Sequence, residues 1–83
     1  MGYERDTYYF DRLGRMTSNP SSDSVLEVRS VEHDVYGNPS FSASVIDLPG
    51  AKEALPVLRR QRPYKECSAI EEAIRQKEPG EAT

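Results

Sequence analysis

The sequence lacks several features on which particular classes of protein depend. It contains 83 residues with one cysteine, one histidine and no tryptophan. A single cysteine forms no disulfide within the chain, whereas small secreted domains usually contain several. No apolar run approaches the roughly 20 residues that a membrane-spanning helix needs, and the first residues lack the layout of a signal peptide. We therefore expect a cytoplasmic protein with no membrane contact.

The same scarcity argues against catalysis and metal binding. His33 has no second histidine or cysteine near it in sequence, so no zinc site is recognisable. Cys67 would need a base such as His33 to act as a nucleophile, and packing next to a helix start is the more common role. No calcium loop, phosphate loop or nucleophile elbow is present. The sequence predicts no enzyme activity, no cofactor and no metal.

The first half of the chain has the pattern of β-hairpins. Residues 7–10 are aromatic and β-prone, and Asp11 and Gly14 suit a type I turn in which the glycine adopts the left-handed conformation. This turn would place Phe10 opposite Met16.

A second hairpin is predicted from residues 24–33 and 40–47, with its turn at residues 34–37. Its turn would place Val31 opposite Phe41, and the alternation over residues 40–45 predicts one buried face and one face of serines. Leu26 and Val28 have the opposite parity from Val31, which suggests a bulge near Arg29 and Ser30.

Residues 8–17 (YYFDRLGRMT) resemble the YD repeat of Rhs-type shell proteins, and residues 31–38 resemble a looser copy. In that family the repeats are structural hairpins without chemistry, so the resemblance implies hairpins here. Repeat architectures need about three units to bury a core, and residues 48–83 resemble no repeat. We interpret the likeness as shared hairpin chemistry.

The second half has helical spacing. Ala51, Ala54, Leu55 and Leu58 follow the periodicity of an amphipathic helix, but Pro56 implies either a kink or a helix that begins near Leu55. A second helix is predicted to start at a capping box formed by Ser68 and Glu71 and to bury the residues Ile70, Ala73 and Ile74.

Together these patterns predict an α+β fold: a small antiparallel sheet of two β-hairpins followed by two short C-terminal helices on one face. We expect a single domain over residues 3–76 and a disordered tail over residues 77–83.

A basic segment is the most polarised feature of the chain. Acidic residues outnumber basic ones in residues 1–50 and 66–83, whereas basic residues dominate residues 51–65. Arginine, lysine and tyrosine in one short segment are typical of protein interfaces, and the same residues could contact nucleic-acid phosphates and bases. The predicted partner-binding residues in this segment are Arg59, Arg60, Arg62, Tyr64 and Lys65.

Three functions remain open on these grounds. We expect a small non-enzymatic adaptor or inhibitor that binds a larger protein partner, of a kind frequent in phages and mobile elements. The alternatives are a nucleic-acid-binding module that uses residues 59–65, and an acidic mimic of nucleic acid.

The N-terminal strand offers a further contact. We expect it to be an exposed contact strand that either adds to a partner's sheet or pairs with a second copy in a homodimer. Tyr8 and Tyr9 are its predicted anchors.

Overall fold

The computed structural model describes residues 4–32 and 37–79. Strands β1 (Glu4–Asp11), β2 (Met16–Thr17), β3 (Ser24–Glu32) and β4 (Pro39–Val45) precede helices α1 (Leu48–Gln61) and α2 (Tyr64–Lys77). The strands form one antiparallel sheet in the order β2-β1-β3-β4. The predicted α+β fold, a small antiparallel sheet followed by two helices, is confirmed. No helix in these residues is long and apolar enough to cross a membrane.

The turn between β1 and β2 forms as its residues predict. The Asp11 carboxylate accepts hydrogen bonds from the backbone N–H groups of Leu13 and Arg15, each at 2.9 Å. Gly14 adopts a φ of 80°, in the left-handed region that favours glycine, and Phe10 lies opposite Met16. The predicted turn of the second hairpin, at residues 34–37, lies outside the described residues except for Gly37, which has a φ of 73°.

The register of β3 differs from the prediction. Ser30, and not Val31, lies opposite Phe41, and pairing with β4 runs without a shift from Leu26 to Glu32. The predicted bulge near Arg29 and Ser30 is therefore wrong. The shift in register falls instead where Phe10 faces Leu26 and Asp11 faces Ser24, which leaves Val25 as the extra residue.

The position of β1 corrects another expectation. The strand lies between β2 and β3, and β2 pairs with its Tyr9 and Phe10, so only the part of β1 before these residues remains at the edge. The long outer strand is β4, whose side chains alternate as predicted: Ser40, Ser42 and Ser44 are exposed, while Phe41 is half-buried on the helix side with Ala43 and Val45.

Helix α1 is one continuous element. Its N-cap is Asp47, whose carboxylate accepts a hydrogen bond from the Gly50 N–H at 2.9 Å. Pro56 lies inside the helix on its exposed side. Because Ala51, Ala54 and Leu58 are all buried, a break at Pro56 would remove part of this face from the core.

Helix α2 begins earlier than predicted. Its N-cap is Pro63, which has no side-chain cap hydrogen bond, and Ser68 lies inside the helix. The predicted capping box is therefore wrong. Ile70 and Ile74 are buried as expected, and the helix extends to Lys77, the first residue of the expected tail.

The core lies between the sheet and the two helices. The sheet contributes Phe10, Val25, Leu26 and Val28, and the helices contribute Ala51, Ala54, Leu58, Ile70 and Ile74. Burial of these side chains holds the corner between α1 and α2 against the middle of β1. Most of the predicted binding residues lie at this corner.

Candidate functional site

The predicted binding residues other than Tyr9 divide into an internal group and an exposed group. The internal group consists of Tyr8 and Arg62, which are joined by Glu66, a residue that was not predicted. The Tyr8 hydroxyl donates to Glu66 Oε2 at 2.9 Å, and the Arg62 Nη2 lies 2.9 Å from Glu66 Oε1. Glu66 is fully buried, with an exposed fraction of 0%. The network therefore joins β1 to the corner between the helices.

Aromatic rings complete the surroundings of Arg62. The guanidinium carbon lies 5.8 Å from the centroid of the Tyr8 ring and 5.7 Å from that of Phe10. The two rings contact each other edge to face, at 5.7 Å between centroids. These distances are typical of cation–π contacts and of favourable aromatic pairs. Arg62 is thus held by a carboxylate and by two rings.

The hydroxyl of Tyr8 is kept protonated by this environment. Burial is the largest cause that raises the pKa of Tyr8 to about 12, and the hydrogen bond to Glu66 and the charge of Glu66 raise it further. Burial lowers the pKa of Arg62, but the hydrogen bonds and charges of Glu66 and Tyr8 together outweigh it, so this pKa is also raised. Tyr8 and Arg62 therefore contribute to the stability of the fold, in addition to any contact with a partner.

The exposed group lies at the same corner. Tyr64, at the start of α2, has an exposed fraction of 84%, and both Arg60 and Lys65 are exposed. Arg59 is exposed too, but its Nε donates to Glu71 Oε2 at 2.9 Å. We call Arg59, Arg60, Tyr64 and Lys65 the corner surface. Beside it is a crevice of about 290 Å³ lined by Arg59, Arg62, Tyr64, Cys67, Ser68 and Glu71.

Tyr9 is not part of the corner surface. Neighbouring residues of a strand point to opposite faces, so Tyr9 lies on the face of the sheet away from the helices. Its hydroxyl donates to Glu27 Oε2 at 3.4 Å across the β1–β3 pair. The structure separates Tyr9 from the other predicted binding residues.

Cys67 is buried, and its thiol has low reactivity. It is buried in the first half of α2, and its thiol donates to the carbonyl oxygens of Leu58 at 3.4 Å and Arg62 at 3.6 Å. Burial raises the pKa of the Cys67 thiol, and the charges of Glu66 and Glu71 raise it further. Such a thiol is a poor nucleophile. His33, its proposed base, lies outside the described residues.

A groove at one end of the sheet is a feature that the sequence analysis missed. It has a volume of about 670 Å³ between the β1–β2 turn, the start of β3 and the start of α1. Leu13 and Ile46, with exposed fractions of 60% and 53%, are among its lining residues. The signal in the sequence was a leucine inside a turn, where it could not reach the core. Within the described ranges, no cluster of residues able to bind a metal ion occurs.

The acidic side chains that the structure describes in the first half do not align like phosphates. Glu27 lies on the open face of the sheet, whereas Asp11, Asp23 and Asp47 lie around the groove at the sheet's end. Asp11 pairs with Arg15 at 2.8 Å, and Asp47 lies 3.6 Å from Arg12. Because they are dispersed and partly neutralised, these carboxylates give no support to a mimic of nucleic acid.

Comparisons with protein-family models, with curated proteins and with solved structures find no match to this chain. Its function must therefore be argued from its own residues.

Proposed function

We propose that this chain is a small non-enzymatic adaptor or inhibitor that binds a larger protein partner through the corner surface. The observation that carries the proposal is the exposure of Tyr64, which presents a ring with an exposed fraction of 84% in a segment with the exposed residues Arg60 and Lys65. Tyrosine and arginine are the side chains that most often dominate binding energy at protein interfaces. An acidic surface with an apolar recess for the ring is the partner chemistry that fits.

The internal network supports the proposal by making the corner rigid. Arg62 and Glu66 lie on either side of the chain segment that contains Tyr64, and their ion pair is tied to Tyr8 in the sheet. A surface that is fixed before binding loses less conformational entropy when the complex forms. Tyr64 and Lys65 therefore sit on a scaffold suited to specific recognition.

A nucleic-acid partner is less well supported by the same geometry. Of the cations predicted to contact phosphates, Arg59 is paired with Glu71 and Arg62 with Glu66. Arg60 and Lys65 are the ones with no ion pair in the described part of the chain. So few phosphate contacts give weak binding with a shallow dependence on salt. The proposal also includes a cytoplasmic location, where a lone thiol such as Cys67 stays reduced.

Site-specific photo-crosslinking tests the proposal. A benzophenone amino acid replaces Tyr64 in one variant and Lys77, exposed on the same helix, in a matched control. We expect one protein to crosslink at position 64 and not at position 77, and to be lost when Arg60→Glu and Lys65→Glu are added.

The contrary outcomes are equally defined. Crosslinking of nucleic acid at position 64 would support the alternative function. Equal labelling at both positions, or no macromolecule at either, would overturn the role of the corner surface.

A further inference from the structure

The outer strand β4 has few of the features that prevent an edge strand from pairing with another chain. Its sequence, PSFSASV, contains no charged residue, and its outer side has no neighbouring strand among residues 4–32 and 37–79. Exposed edge strands usually carry charges, bulges or prolines that prevent them from pairing with another chain. The one such device in β4 is Pro39, at its first position.

Hydrogen bonding shows which backbone groups of β4 point outward. The Ile46 N–H donates to the Val25 carbonyl at 2.8 Å, so residue 46 directs its backbone groups toward β3. Backbone direction alternates along a strand, and pairing between β3 and β4 is uninterrupted. The even-numbered residues of β4 therefore bond to β3. The N–H and C=O groups of Phe41, Ala43 and Val45 point to the open edge.

We propose that β4 pairs antiparallel with β4 of a second copy, about a two-fold axis at Ala43. In this register Ala43 faces Ala43 of the second copy and Phe41 faces its Val45, so all the outward N–H and C=O groups of Phe41, Ala43 and Val45 are bonded. On the open face, Ser42 lies opposite Ser44 of the second copy. The two sheets become one continuous sheet.

Other registers satisfy fewer groups. A two-fold axis at Ser42 places Val45 opposite Pro39 of the second copy, and proline has no N–H to donate. An axis at Ser44 leaves Phe41 beyond the end of the other strand. With the axis at Ala43, Pro39 lies outside the ladder and costs no hydrogen bond. Phe41 and Val45 also form cross-strand pairs of the aromatic and β-branched kind that stabilise sheets.

The opposite edge of the sheet does not favour a second copy. Strand β2 covers Tyr9 and Phe10 alone, so the outward groups of β1 beyond it belong to Arg5 and Thr7. The two-fold register that pairs those residues places Asp6 opposite Asp6 of the second copy, and like charges directly opposite each other are destabilising. Charge therefore distinguishes the two edges and assigns self-association to β4.

Sedimentation over a range of concentrations tests the proposal. The interface is small, so we expect the wild-type chain to show a concentration-dependent equilibrium between monomer and dimer. Ser42 and Ser44 are exposed, and substitutions there leave the core intact. The double variant Ser42→Lys with Ser44→Lys places like charges opposite each other, and Ser42→Glu with Ser44→Lys places opposite charges there. We expect the dissociation constant of the dimer to rise roughly three- to thirtyfold in the variant with two lysines and to fall by a similar factor in the variant with glutamate and lysine.

The control is Thr7→Lys, an exposed residue on the same face at the other edge, which should leave the dissociation constant unchanged. A wild-type chain that stays monomeric at millimolar concentration would overturn the proposal. So would equal effects of the two double variants.

Disulfide trapping reads the register directly. The pair formed by Ser42 and Ser44 of the second copy is not hydrogen-bonded, so their Cα atoms should lie about 4.5 Å apart, within disulfide range. A mixture of Ser42→Cys and Ser44→Cys chains should form a covalent heterodimer under mild oxidation, while each variant alone should not. Cys67 is buried and does not interfere. Trapping of either variant with itself, or no trapping in the mixture, contradicts the Ala43 axis.

Discussion

Two ion pairs at the corner between the helices have the same chemistry and different surroundings. Arg59 pairs with Glu71, and their side chains have exposed fractions of 56% and 36%. Arg62 pairs with Glu66, and the corresponding fractions are 28% and 0%. The first pair joins two helices at the surface. The second is enclosed, accepts a further hydrogen bond from Tyr8 and lies against two aromatic rings.

The difference shows that the residue types of the basic segment do not by themselves define a binding surface. Arginines three positions apart face different environments because α1 ends between them, at Gln61. Arg59 remains on the helix surface, while Arg62, in the extended link between the helices, reaches back toward β1. One pair is therefore expected to contribute to folding and the other to remain available to a partner.

Removing the buried carboxylate should have the largest effect. Glu66→Ala leaves the guanidinium of Arg62 and the hydroxyl of Tyr8 without their partner, and we expect a loss of about 3–5 kcal/mol in the free energy of unfolding. Glu71→Ala removes the exposed partner and should cost at most about 1 kcal/mol. Denaturant unfolding of both variants measures the difference. Glu66→Gln, which retains an acceptor for Tyr8, should lie between them and remain folded. Equal losses for Glu66→Ala and Glu71→Ala would show that burial does not distinguish the pairs.

Arg62 and Arg60 should also differ in their contribution to stability, but by less than Glu66 and Glu71. Arg62→Ala removes the ion pair and both ring contacts, and we expect a loss of about 2–4 kcal/mol because Glu66 keeps its hydrogen bond from Tyr8. Arg60→Ala should change stability by no more than about 0.5 kcal/mol, since the side chain is exposed. Thermal unfolding measures both. Arg60→Ala should instead weaken binding of the partner. A lowered unfolding temperature of the Arg60→Ala variant would contradict the division into internal and exposed groups.

Within the network of Tyr8, Arg62 and Glu66, the smallest effect should come from the hydroxyl of Tyr8, and it should depend on pH. Tyr8→Phe removes one hydrogen bond to a charged group at a half-buried position, which should cost about 1.5 kcal/mol at neutral pH. The pKa of Tyr8 is raised from 10.0 to about 12 in the folded chain, so the folded state holds this proton more tightly than the unfolded state. The corresponding stabilisation is complete below pH 10 and is lost as the pH rises through 12.

The stability of the wild-type chain and of Tyr8→Phe should therefore converge over that range of pH. A constant difference between wild type and Tyr8→Phe from pH 9 to 12 would argue against the raised pKa.

Local chemistry explains what could be predicted from the sequence. The turn at Asp11 and Gly14 depends on residues within four positions of each other, so the hairpin and the Phe10–Met16 pair could be derived. The alternation of serines in β4 likewise identified both of its faces. Such features do not depend on distant parts of the chain.

The errors arose where tertiary packing outweighed a local signal. The capping box at Ser68 and Glu71 failed because Glu71 pairs with Arg59 in the other helix and because the core includes Cys67, one residue before the expected start. Of the two alternatives for Pro56, a helix that begins near Leu55 is wrong, because α1 continues through Pro56 on its exposed side while Ala54 and Leu58 remain buried.

For the candidate site, composition identified the corner surface but not the internal role of Arg62. Its partner Glu66 lies four residues after Arg62, a spacing that is common for exposed ion pairs on helices. Nothing in the neighbouring sequence indicates that Glu66 is buried. The Tyr8 contact spans 58 positions of sequence and could not be anticipated.

Two glycines determine how closely helix α1 approaches the sheet. A methyl group at Gly50 would lie 2.4 Å from Val25 Cγ1, and one at Gly14 would lie 2.7 Å from Val57 Cγ1. Gly50 and Val57 are two helical turns apart, about 10 Å along the axis. The helix thus rests on two supports, one near each end, where a hydrogen atom takes the place of a side chain. An alanine at either support would force the facing valine side chain or that end of α1 to move, so the separation of helix and sheet depends on two missing methyl groups.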